Sequence, residues 1–326
     1  MKTKTIKTNA KTKKTKKYQK HSKLIMKKNN YTKKQKKNIA KQIFSITKEE
    51  AITDFKKLQE VGCNSKKKFS KIGNKIVNYF TSEERLETIG NKKLTFYDVW
   101  KNKNIIMREY PYVKKMFAYY EQNYKTYPMI KVWKRIYDIY YGSITIFRPL
   151  QAMEIYCRYK PTSILDFTMG WGGRLIGACA LNIENYIGID MNSRLKIPYQ
   201  NMISMLEPTT KTKISVIFQD ALTVDYSKLN YDIVLTSPPY YNLEFYGGQF
   251  KPMSKEEWNT KFYIPIIEKT YKYLKRGGHY CLNLPIEVYE NAARKILGAC
   301  TTKIPMSKFK RTTNHIYKEF IYVWKK

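Results

Sequence analysis

From about residue 143 onward, short β-prone runs are separated by helical stretches, and this alternation limits the chain to few folds. The runs cover residues 163–167, 186–190, 214–219, 231–236, 279–284 and 320–324. Strands joined by helices need crossovers that return the chain to the same end of the sheet. The spacing therefore predicts a doubly wound, mostly parallel α/β sheet with helices on both faces. The last run follows directly on another short segment, which allows an antiparallel hairpin where the sheet closes. In such sheets ligands bind beyond the carboxyl ends of the strands. Asp166, Asp190 and Asp220 stand there, at the ends of the first three runs.

What precedes residue 143 reads differently. Residues 1–40 hold 16 lysines and no acid, a composition that cannot bury enough apolar surface to fold alone. They are expected as a disordered tail: a nonspecific nucleic-acid arm, a nuclear-import signal, or simply a solvated segment. Residues 41–142 are expected as a mainly helical, basic accessory region. Thr47-Lys48-Glu49-Glu50 forms a capping box opening a helix that Gly62 ends. Thr81-Ser82-Glu83-Glu84 looks like a second helix start. Tyrosines and lysines interleave from 110 to 141, which suits base stacking, although at helical spacing such a stripe more often packs a core.

The net charge is +36, from 62 Lys+Arg against 26 Asp+Glu. A surplus of that size favours a polyanionic partner, nucleic acid well ahead of a membrane surface. Drift toward lysine in an AT-rich genome is the competing explanation. The five cysteines include no Cys-x-x-Cys pair, and only three histidines accompany them, so no metal site is expected. They are expected as buried thiols in a reducing compartment. Without a signal-like N-terminus or an apolar run of about 18 residues, the chain is expected to be soluble and intracellular, cytoplasmic or nuclear.

Two stretches carry chemistry. In Ser163-Ile164-Leu165-Asp166-Phe167-Thr168-Met169-Gly170-Trp171-Gly172-Gly173 a strand ends in an acid and runs into a glycine turn with a helix behind it. Alone this is a weak signal, since an acid at a strand–helix turn also serves as an N-cap. Asp190 is placed to accept from ribose hydroxyls, and Asp220 to meet an adenine amino group. Three acids suit a nucleoside with a cationic substituent better than a pyrophosphate. The second stretch is Ser237-Pro238-Pro239-Tyr240, directly after the apolar run that ends at Thr236. Proline cannot continue a strand ladder, so this is a stiff, kinked, aromatic loop at a strand end.

These residues resemble the S-adenosylmethionine-dependent methyltransferases that modify exocyclic amines of nucleic-acid bases. That family carries a (D/N/S)-P-P-(Y/F/W) tetrapeptide after the fourth strand and a D-P-F-x-G-x-G cofactor turn. The turn is matched here by Asp166 to Gly172, with Phe167 in place of the usual proline. The resemblance covers roughly residues 143–326. It implies a Rossmann-like methyltransferase domain there, with S-adenosylmethionine as cofactor and DNA as partner. It also implies cofactor contacts from Phe147, Asp166, Thr168, Gly170, Gly172, Asp190, Asp220 and Ala221. It further implies a catalytic loop of Ser237, Pro238, Pro239 and Tyr240, and Asn242, Glu244, Tyr246 and the Gly247-Gly248 pair are expected as a far wall or flap. Serine at the first loop position leans toward cytosine N4 over adenine N6. RNA base amines, a protein glutamine amide, and a catalytically inactive nucleic-acid-binding paralogue are the rival readings. The charge disfavours the glutamine reading.

Overall fold

The computed structural model describes residues 26–64, 70–90, 92–243, 252–306 and 319–326. Seven strands form one sheet in the order β3-β2-β1-β4-β5-β7-β6. They are β1 (Ser163–Asp166), β2 (Asn185–Ile189), β3 (Lys213–Ile217), β4 (Ile233–Thr236), β5 (His279–Pro285), β6 (Thr302–Pro305) and β7 (Glu319–Lys325). The first five pair in parallel. β7 enters antiparallel between β5 and β6, so the closing hairpin lies within the sheet's end with β6 as the edge. The fold is the doubly wound, Rossmann-like α/β fold that the alternation predicts.

The central strands are buried on both faces. Every residue of β1 and β4 is buried, while β3 at the edge is largely open. Their apolar runs are therefore continuous rather than alternating. Successive residues still feed opposite cores. Ile164, Ile233, Leu235 and Cys281 join one cluster, and Leu165, Val234, Tyr280 and Leu282 join the other. Pro305 ends the edge strand, where a missing donor costs no ladder bond.

Among the described residues, seven helices precede residue 143: α1 (Lys33–Phe44), α2 (Lys48–Val61), α3 (Asn74–Glu87), α4 (Phe96–Lys101), α5 (Lys103–Glu109), α6 (Pro111–Asn123) and α7 (Met129–Tyr140). α2 opens with the Thr47–Glu50 capping box and stops at Gly62. Two expectations are corrected here. α1 starts at Lys33, capped by Thr32 and Gln35, so ordered structure begins inside the stretch that composition assigns to the tail. Thr81 starts no helix; it sits within α3, buried, and its hydroxyl donates to the Val77 carbonyl. Residues 1–25 lie outside the described residues. α2 and α3 pack on the sheet: Phe55, Leu58, Ile76 and Val77 share one core with Ile164 and Leu175. A separate cluster joins α1, α4, α6 and α7 around Trp133 and Tyr137.

The aromatic stripe divides. Phe117, Trp133, Tyr137 and Tyr141 are buried, whereas Tyr119 and Tyr124 are 54% and 51% exposed. The cysteine expectation is corrected for two of five residues. Cys63 and Cys157 form a disulfide between the end of α2 and α8 (Pro149–Tyr159). Cys179 and Cys281 are buried thiols, and burial pushes Cys179 up to about 12, so it stays protonated and inert. Among the described residues no helix is long and apolar enough to cross a membrane. No group of His, Cys, Asp or Glu among them could hold a metal ion.

Candidate active site

β1 pairs with β2 on one side and with β4 on the other. The chain therefore winds away in opposite directions from these two central strands, and their outgoing loops separate. A cavity of 1310 Å³ opens there. Phe147, Thr168, Gly170, Asp190, Asp220, Ala221 and all of Ser237 to Tyr240 line it. Of the described residues that the sequence singles out for the site, Asp166, Gly172 and Asn242 do not reach its wall.

The glycine turn is shaped by close approach. Gly172 has a φ of +86°, the left-handed region that side chains rarely adopt, and a Cβ there would meet the Met202 methyl at 2.8 Å. A Cβ on Gly173 would lie 1.8 Å from the Phe147 carbonyl oxygen. Gly173 is thus where the segment before α8 crosses the start of α9 (Gly173–Ala180). The turn brings Phe147 and Thr168 to the cavity although 21 residues part them in sequence. Phe167, where the resembling family has proline, is fully buried and fills the core beneath.

Asp166 has another task. It is fully buried and pairs with Arg174, whose Nε lies 2.7 Å from Oδ2. Tyr186 donates to the same oxygen at 2.7 Å and Thr236 to the other at 2.8 Å. Burial alone would push the Arg174 guanidinium down, but the charge of Asp166 and its hydrogen bond outweigh that, and the net shift is upward. Arg174 also bonds the Thr168 carbonyl and lies over the Phe147 ring at 5.0 Å. Thr168 and Thr236 share a hydroxyl contact of 2.6 Å. The acid that ends β1 therefore binds the β1 turn to the end of β4 from behind. Direct contact between Asp166 and a ligand, as the resemblance implies, is not what this geometry provides. Arg174 is the residue that sequence reading missed.

Asp190 accepts from the Gly170 N–H and the Asn192 N–H, both at 2.8 Å, one on each carboxylate oxygen. Each oxygen keeps a second lone-pair direction. Burial pushes this carboxyl above its ordinary range, while the two N–H groups pull it partly back. A raised acid binds more protons folded than unfolded, so its contribution to stability falls as pH rises through that window. Asp220 is exposed, and its carboxylate caps a short turn by accepting from the Leu222 N–H at 2.9 Å.

The loop after β4 is pinned from three sides. Ser237 donates to Asn283 Oδ1 at 3.0 Å, and the Tyr240 hydroxyl donates to the same atom at 2.8 Å. Asn283 Nδ2 donates to the Phe320 carbonyl at 3.1 Å, which fixes which way the amide faces. Glu319 Oε1 stands 3.0 Å from the Tyr240 hydroxyl. Farther on, Tyr241 takes a φ of +52°, unfavourable for a bulky residue. Its N–H donates to the Tyr263 hydroxyl, which itself donates to the Pro239 carbonyl. Tyr241 is buried against Tyr263, a packing role. Asn242 accepts from Trp258 Nε1 and donates to the Met253 carbonyl. Glu244, Tyr246, Gly247 and Gly248 lie outside the described residues. Asn283, Glu319 and Tyr263 carry no sequence signal of their own.

The class that fold and site define is a Rossmann-like α/β protein with a glycine turn after β1 and a Ser-Pro-Pro-Tyr loop after β4, both facing one cavity. No family model matches the chain, and no curated protein does. Similar solved structures include a rRNA methylase from Streptococcus thermophilus, at 14% identity and TM-score 0.38, over 56% of this chain and 99% of that one. TrmN from Thermus thermophilus matches at 14% and 0.36, over 54% of this chain and 48% of that one. SMU.776 complexed with SAH matches at 12% and 0.39, over 55% and 50%.

Proposed function

We propose that the chain transfers a methyl group from S-adenosylmethionine to the exocyclic amino group of a DNA base, cytosine N4 or adenine N6. The observation that carries this reading is the orientation of Ser237. Its hydroxyl stands 3.0 Å from Asn283 Oδ1, a closer acceptor than the Tyr240 hydroxyl at 3.5 Å, and donation to Asn283 leaves the hydroxyl oxygen as an acceptor at the cavity wall. An exocyclic amine is a poor nucleophile because its lone pair is delocalised into the ring. Acceptors that grip its N–H groups favour the pyramidal geometry in which that pair is released. The Ser237 oxygen and the Pro238 carbonyl are the two candidates, on a backbone that two prolines and Tyr263 hold still. The Tyr240 ring offers a stacking face, worth about 1–3 kcal/mol per base. The net charge of +36 supports a nucleic-acid substrate.

The cofactor supplies an electrophilic methyl group when bound; the protein's part is orientation and electrostatics. The residues present fit it. The open lone-pair directions of Asp190 suit a ribose diol, with the Gly170 turn, Thr168 and Phe147 beside it for the methionine portion. Ala221 and Asp220 are the candidates for the adenine. Asp166 would act through Arg174 rather than by contact.

Asp190→Ala should abolish cofactor binding in calorimetry; unchanged affinity would remove Asp190 from this role. Because the carboxylate must stay ionised to accept two hydroxyls, affinity in the wild-type protein should decline as pH falls, and from above the ordinary carboxylate range. A titration flat from pH 7 to pH 4 contradicts that. The reaction itself is tested by mass spectrometry of nucleosides from cells expressing the chain. N4-methylcytosine or N6-methyladenine in DNA is expected. Methylated bases confined to RNA would move the assignment to RNA, and no new methylated base in either would end it.

A further inference from the structure

The cavity is larger than a single small-molecule ligand requires. Pockets for a drug-sized ligand enclose about 300–1,000 Å³, and this one encloses 1310 Å³. Beyond the strand ends it runs under α2, α3 and α7, where Lys57, Lys71, Lys75, Arg85, Lys134 and Arg148 line it. The acids on that side are already engaged. Asp54 accepts from the N–H groups of Lys75 and Ile76 at the start of α3. Asp138 pairs with Lys134 at 2.6 Å, and Glu50 with Lys75 at 2.8 Å. Lys57 and Lys71 are exposed and make no ion pair among the described residues. Burial pushes the Lys134 ammonium down despite Asp138, a cost that a further anion would relieve. The one α-carboxylate of an amino-acid cofactor cannot use so many cations.

We propose that this helical half of the cavity binds the phosphodiester backbone of a single strand whose target base lies at Ser237 to Tyr240. This rests on the function proposed above and adds to it the form of the substrate. The helical lysines, the segment 143–148 between α7 and α8, and Ser237 to Tyr240 all line this one cavity, so one ligand can run from the lysines to the loop without leaving it. A base stacked within a duplex cannot enter a site walled by helices on one side and strand ends on the other. A single strand enters directly; a duplex must first release its base.

The test uses the full chain with Lys57→Gln and Lys71→Gln together. A second pair, Lys213→Gln and Lys228→Gln, lies outside the cavity and serves as control. Anisotropy of a labelled single-stranded oligonucleotide is read across a salt series, with calorimetry of S-adenosylmethionine alongside. The cavity pair should weaken the oligonucleotide about tenfold and reduce the log–log salt slope by roughly 1.4, about 0.7 for each lost phosphate contact. The control pair should change neither by as much as half of that, and cofactor affinity should stay as in the unmodified chain. Equal effects from both pairs, an unaltered slope in the cavity pair, or tighter binding of intact duplex than of single strand would each overturn the proposal. Normal strand binding without methyl transfer would instead fault the proposed reaction, so the two failures are separable.

Discussion

Replacing Arg174 with Met should remove about 3–5 kcal/mol of folding stability, read as a lower denaturant midpoint. The substitution keeps length and apolar volume but leaves Asp166 as an unpaired charge with no exposure. Three partners now hold that carboxylate, the Arg174 guanidinium and the hydroxyls of Tyr186 and Thr236. Two hydroxyl donors cannot neutralise a buried charge, so the cost is that of an orphaned ion rather than of one lost contact. A second substitution discriminates. With Asp166→Asn added, the charge is gone, and a large part of the lost stability should return. If Arg174→Met costs under 1 kcal/mol, or Asp166→Asn adds a further loss of equal size, the pair does not act as described. Because Arg174 also bonds the Thr168 carbonyl and covers Phe147, the double variant should keep a weakened cofactor affinity even when it is stable.

Ser237→Ala should lower the rate of methyl transfer by about 100- to 1,000-fold while leaving affinity for cofactor and oligonucleotide within about twofold. That range is what removal of one preorganised polar group aimed at a reacting atom has cost in other enzymes. The binding constants should hold because the stacking face, the cationic walls and the Asp190 turn are all unchanged. The serine is small and only partly buried, and its removal leaves Asn283 Oδ1 with the Tyr240 donor at 2.8 Å, so the loop should keep its shape. An unaltered rate would exclude the hydroxyl from the chemistry. Absence of transfer in the unmodified chain, with normal oligonucleotide binding, would favour the inactive-paralogue reading.

Much of this was legible because it is local. The Thr47–Glu50 capping box spans four consecutive residues, and each of its bonds joins positions three apart. The strand-ending acids, the glycine turn and the proline–tyrosine loop announce themselves within a few residues each. Their fixed order along the chain is enough to bring the two loops to one crevice. Thr81 failed for a physical reason. The pattern of a Ser or Thr ahead of two acids is met equally by a hydroxyl that turns back to the carbonyl one turn earlier within a helix, which is what Thr81 does.

Asp166 shows the limit more sharply. Its type and position fit a ligand contact, and nothing eight residues away marks Arg174 as its partner. Asn283 reaches Ser237 across 46 residues and Glu319 reaches Tyr240 across 79. The Cys63–Cys157 bond spans 94. Neither the spacing nor the identity of these residues predicts such meetings, because they depend on which strands become neighbours. The sequence by itself determined the alternating elements, their doubly wound order and the two loops that face the crevice, since these follow from backbone preferences and periodic burial over short spans. Only the tertiary structure decided which acids face the cavity and which faces a buried arginine, that Ser237 meets Asn283, and that helical lysines share the cavity. Those outcomes come from contacts between distant segments, where burial forces each charge and each donor to find a partner.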